Sequence, residues 1–146
     1  MRRVKERSLE RMFLFMPYQD RAHLKYSLCV PDVHLLSLRP EVEGLIVPSK
    51  FYGIAAAGRP ILAVISKDGE LAPLIEQYQC GLVIEPGQAG ALAAAILALS
   101  EDSARCATMG KCARNMLEAK FTRHRAFERW QDVINHVDSG DVANCS

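Results

Sequence analysis

The stretch SLRPEVEGLIVPSKFYGIAAAGRP, Ser37 to Pro60, limits what this chain can fold into more than any other. An apolar run, DVHLLSL (Asp32 to Leu38), leads into it, and a second, ILAVIS (Ile61 to Ser66), follows it. Between them come a polar loop with Glu41, Glu43 and Gly44, a small-sided run SKFYGIAAA (Ser49 to Ala57), and Gly58, Arg59 and Pro60. Near-continuous apolar runs are what strands buried on both faces look like. SKFYGIAAA reads as a short helix and Gly58 as its stop signal. Strand, loop, helix, turn and strand in this order make a parallel crossover unit. Ligands of open parallel sheets bind beyond the carboxyl ends of the strands. The loop from Arg39 to Pro48 lies at such an end and is the first place to look for function.

The flanking sequence continues the alternation. Arg2 to Arg11 reads as a short charged helix, and MFLFM (Met12 to Met16) as a strand closed by Pro17. Asp20 is a candidate cap for a helix through Leu28, which Pro31 ends. Leu71, Leu74, Ile75 and Tyr78 recur at helical spacing, and LVI (Leu82 to Ile84) is a short strand. Three helices follow. The first carries Leu92, Ile96 and Leu99. The second, capped by Ser100 or Asp102, carries Cys106, Met109, Ala113, Met116 and Leu117. The third, capped by Thr122, carries Phe127, Trp130, Ile134 and Val137. The expected fold is α/β: a doubly wound parallel sheet of about four strands (12–16, 32–38, 60–66 and 82–84), with two C-terminal helices closing the chain. Residues 1–138 form one partial domain and 139–146 a polar, frayed tail. The abrupt first unit suggests that something precedes Met1.

Composition excludes several classes. At 146 residues and 49% hydrophobic, the chain can bury a core. A net charge of +1 does not mark a nucleic-acid binder. The basic residues Arg2, Arg3, Lys5, Arg7 and Arg11 read first as a solvated helix face rather than a lipid patch. Cys29, Cys80, Cys106, Cys112 and Cys145 are odd in number and form no C-x-x-C, so neither zinc nor a disulfide framework is expected. Reduced thiols fit a cytoplasmic protein. Cys106 is assigned to the core, and His34, inside an apolar run, to packing or hydrogen bonding rather than catalysis.

The central loop offers two kinds of chemistry. Ser49 and Lys50 open a helix, whose N–H groups and dipole suit a phosphate or diphosphate, with Lys50 adding a point charge. Glu43 and Glu41 are wrong for phosphate but right for sugar hydroxyls, which donate to an ionised carboxylate. Gly44 lets backbone approach a ligand closely. A nucleotide-sugar has both needs. The bland alternative is a helix cap beside solvated glutamates.

DVHLLSLRPEVEGLIVPSKFYGIAAAGRPILAVI, followed by GLVIEPG and an Ala/Leu helix, resembles the C-terminal donor-binding domain of retaining GT-B glycosyltransferases of family 4. The likeness is to the colanic-acid and O-antigen fucosamine transferase branch. It runs from Met12 to Ile134, with FLFMPYQDRAHLKYSL matching the preceding strand and helix. The resemblance implies sugar transfer from a nucleoside-diphosphate donor, uridine diphosphate being the family guess, with no bound metal and no other cofactor. It carries Gly44, Ser49 and Lys50 to the donor, with Glu43 as sugar contact. The family's paired glutamates would fall at Leu45 and Gly53, so a side-chain ribose contact is absent there.

The resemblance also implies that the acceptor domain and the start of the donor domain are missing. The expectation is a donor-domain fragment, inactive by itself. Its partners would be a nucleotide-sugar and either a separate acceptor-domain chain or a second copy meeting it through the truncated edge. Nucleic acid is not expected. Peripheral contact at the inner face of the membrane is the remaining option. Two alternatives stand beside it: a non-catalytic nucleotide-sugar-binding subunit, and an unrelated doubly wound interaction module.

Overall fold

A computed structural model describes residues 2–46 and 48–138. The polar tail 139–146 lies outside the described residues. Among the described residues, seven α-helices and three strands follow one another: α1 (Arg2–Glu6), α2 (Leu24–Cys29), β1 (His34–Ser37), α3 (Ser49–Ala56), β2 (Ile61–Val64), α4 (Leu71–Gln77), β3 (Gly81–Ile84), α5 (Ala89–Glu101), α6 (Ser103–Lys120) and α7 (Arg123–Asp138). The strands form a parallel sheet in the order β1-β2-β3. His34 is in register with Ile61, and Ile61 with Gly81. The α/β reading of the sequence therefore describes the fold, with three strands rather than four.

The difference is Met12–Met16, which makes no ladder. Its five side chains are 49–85% exposed. An extended segment is held as a strand only by a neighbour that takes its N–H and C=O groups, and no described strand lies beside this one. The helix expected from Asp20 is reduced to a 3-10 turn (Arg21–His23) leading into α2, and Asp20 makes no side-chain cap.

Successive strand residues face opposite sides of the sheet. On one side Leu36, Ile61, Ala63 and Ile65 meet Phe51, Ile54 and Ala55 of α3, Leu71, Ala72 and Ile75 of α4, and Ala113 and Met116 of α6. On the other side Val64 and Ile84 stand beside Leu92 of α5. That second cover stops short of β1: Leu35 is 49% exposed, while its register partner Leu62 is 2% exposed.

Local chemistry explains the element ends. Gly58 ends α3 at φ +64°, a backbone that side-chain-bearing residues rarely adopt. Asp102 Oδ1 accepts from Arg105 N at 2.8 Å, and Thr122 Oγ1 from Arg125 N at 3.2 Å. Asp102, not Ser100, is thus the cap of α6, and Thr122 caps α7. His34 is buried, and its Nε2 donates to Leu28 O at 2.8 Å, a structural role. Cys106 is half-buried rather than fully in the core, with Sγ 3.3 Å from Leu99 O. The stripe Phe127, Trp130, Ile134 and Val137 is 54–67% exposed, because α7 makes no extensive contact with another described element.

α6 approaches α3 so closely that a Cβ on Gly110 would stand 2.1 Å from Gly58 O. Backbone on both sides leaves no soft neighbour to yield. Gly110→Ala is expected to destabilise the fold by about 2 kcal/mol or more, read by urea unfolding. Burial pushes the Cys80 thiol up to about 11. The unfolded thiol ionises first, so stability is expected to fall as pH rises from about 9 to about 11, a loss absent from Cys80→Ala.

Candidate functional site

Three loops meet at the carboxyl ends of the strands. The first, after β1, holds a 3-10 turn (Pro40–Val42), then Glu43 and Gly44. The second, after β2, is Ile65 to Glu70. The third, after β3, starts at Glu85. Two carboxylates tie them together. Glu43 Oε1 accepts from Ser66 N at 2.8 Å, and Glu85 Oε1 accepts from Lys67 N at 2.9 Å. The amides that open the middle loop are therefore held by one glutamate from each neighbouring loop. A charged acceptor makes such a bond stronger than a neutral one.

Glu43 has a second feature. Its Oε2 is buried and has no hydrogen-bond partner among the described residues. It lies 2.1 Å from where a Cβ on Gly69 would be, so glycine there makes room for the carboxylate. A cavity of about 20 Å³ adjoins it, lined by Glu43, Gly44, Ile46, Pro48, Glu70 and Leu71, among others. That volume suits one water, not a sugar ring.

The other sequence-selected residues are exposed. Gly44 sits at φ +78° with open space where a Cβ would point. Ser49 is the first residue inside α3, and the preceding Pro48 makes no side-chain cap. The Phe51 amide closes on Pro48 O at 2.9 Å. Lys50 Nζ donates to Leu35 O at 3.0 Å, which draws its ammonium toward β1. Glu41 is exposed on the same loop.

Glu43, Gly44 and Pro48 thus meet at one cavity, with Ser49 next in the chain, while Lys50 leans aside. Ser66, Lys67, Gly69 and Glu85 join the same edge and were not singled out in the sequence. The pattern of loops following apolar strands could have found the stretch, but not the pairings within it. No group of three metal-ligating side chains occurs among the described residues. No helix of the described residues is long and apolar enough to cross a membrane.

Comparison with known proteins gives this edge a context. No family model matches the sequence. The chain is 31% identical, over 134 residues, to the probable glycosyltransferase WbjE of Pseudomonas aeruginosa. It is 24% identical, over 136 residues, to the amylovoran biosynthesis glycosyltransferase AmsK of Erwinia amylovora. The matches take in 90% and 92% of this chain but 33% of each relative. Among solved structures, a sucrose-phosphate synthase of Thermosynechococcus elongatus superposes with a TM-score of 0.78 at 22% identity, over 94% of this chain and 33% of that one. This chain is similar to one third of a glycosyltransferase.

The Glu43 latch is directly testable. Glu43→Ala removes the acceptor, and Gly69→Ala drives the carboxylate out of its place. Both are expected to speed hydrogen exchange at the Ser66 amide about five-fold or more, as loss of a bond worth about 1 kcal/mol predicts. Glu70→Ala is expected to leave that amide unchanged.

Proposed function

We propose that this chain is the second half of the nucleotide-sugar-binding domain of a retaining family 4 glycosyltransferase, of the branch that builds cell-surface polysaccharides. The observation that carries the reading is the sequence match over 90% of this chain to a third of WbjE. The fold likeness and the position of the loops at the carboxyl ends of β1 and β2 agree with it. In this reading the donor's diphosphate lies at the N-terminus of α3, beside Ser49 and Lys50. Gly44, open and left-handed, lets the loop backbone close on the donor. Glu43 Oε2, still without a partner, accepts from a sugar hydroxyl, directly or through one water.

Sugar transfer breaks the bond from the anomeric carbon to the diphosphate and forms one to an acceptor oxygen, which loses its proton. The diphosphate leaves with the bonding electron pair. Stabilising that charge is the main catalytic task. One helix terminus supplies part of it. The opposite wall of the cleft, and the acceptor, need further polypeptide, so this chain alone is inactive. The bare face of Leu35 favours a second reading: a non-catalytic binding subunit that works only beside a chain carrying the rest.

Uridine diphosphate titrated into isotopically labelled chain is expected to shift the amides of Gly44 and Ser49, with dissociation constants of about 1 mM or weaker for half a site. Gly44→Val, strained at this backbone angle, is expected to weaken the response. Shifts confined to surfaces away from this edge would exclude the assignment.

A further inference from the structure

We propose that the outer edge of β1 is a docking edge for one further parallel strand, guarded in this chain by Lys50. Alternate residues of β1 face β2. His34 N donates to Pro60 O at 3.1 Å and Leu38 N to Val64 O at 3.1 Å. The N–H and C=O groups of Leu35 and Ser37 therefore point the other way, to the side where no described strand lies. Lys50 Nζ sits on one of them, Leu35 O, at 3.0 Å. Charged side chains over a bare edge keep it from indiscriminate pairing, and Lys50 does so from the first turn of α3 rather than from the strand itself. The uncovered Leu35 shows that the sheet's face, like its edge, stops short here.

The occupant is a β-α-β unit from a polypeptide that carries the opposing half of a doubly wound sheet. In such a sheet the first three strands step outward one way from the middle, and the next three step outward the other way. β1, β2 and β3 lie in sequence order and match the second set. The strand before them in sequence then belongs at the far edge, with two strands between. Met12–Met16 fits that place. It is preceded by charged helix α1, extended at Phe13 (φ −126°, ψ 118°), apolar and exposed. A second copy of this chain at the β1 edge would leave it without a partner.

This deepens the function proposed above by naming the partner of the same site, yet the edge geometry does not depend on nucleotide binding. A strand pairing at Leu35 O displaces Lys50. Its ammonium is then free to turn toward the start of α3. Sheet completion would thus hand a cation to the diphosphate seat.

The test uses the full chain as wild type, Lys50→Met, Ser37→Pro and the double variant. Ser37 N faces away from β2, so proline there removes an outward donor and spares the ladder. Melting temperatures check that Ser37→Pro folds like wild type. In sedimentation velocity, Lys50→Met is expected to self-associate about five-fold more tightly than wild type, and the double variant to revert. Unchanged association of Lys50→Met overturns the guard, and association that survives Ser37→Pro overturns the edge. For the occupant, the two thirds of the Pseudomonas aeruginosa relative that this chain does not match are co-expressed as a separate chain. Wild type is expected to co-purify with it and Ser37→Pro to lose most of the complex. No complex, or equal recovery of both, overturns the occupant. All these readings are made without nucleotide, so a failed uridine-diphosphate titration leaves them standing.

Discussion

A parallel sheet cannot stand with one face to water as an antiparallel one can, because its crossovers bring helices to both sides and its strands are apolar throughout. That requirement organises this molecule. β2 meets it fully: Ile61, Leu62 and Ala63 are buried, with α3, α4 and α6 on one side and α5 toward the other. β1 meets it halfway. Leu36 is buried under α3, while Leu35 is half exposed, no described strand lies at the outer edge, and Lys50 donates to it there. The exposed apolar run Met12–Met16 is the counterpart of the same shortfall.

The carboxyl edge is built differently from the core. It is held by charged acceptors on backbone amides, Glu43 on Ser66 and Glu85 on Lys67. Such bonds draw the three loops together and fix their spacing. The arrangement gives Glu43 two faces: one oxygen committed to the neighbouring loop, the other buried without a partner. A glutamate so placed is a structural tie that keeps one acceptor oxygen in reserve.

Much of the fold was legible because it rests on local chemistry. Gly58 after a small-sided helix, Thr122 before a helix, and the apolar runs that became β1, β2 and β3 read correctly, and Asp102 was one of the two caps offered for α6. Met12–Met16 misled for a physical reason. Periodicity reports which side chains want burial, not whether a partner is present to bury them. Among the site residues, Gly44 and Ser49 were reachable from turn and helix-start signals. The bonds of Glu43 to Ser66 and of Lys50 to Leu35 join positions far apart in sequence. No spacing rule encodes them.

The amino-acid order by itself determined the element types from β1 onward, the parallel crossovers, and the loop where ligands of such sheets lie, because these follow from periodicity, capping and strand direction. Only the tertiary structure decided how many strands find neighbours, which glutamate holds the middle loop, and where the Lys50 ammonium rests. Those outcomes depend on which groups converge in space after the chain has folded. A hydrogen bond or a buried face needs its second party to be there.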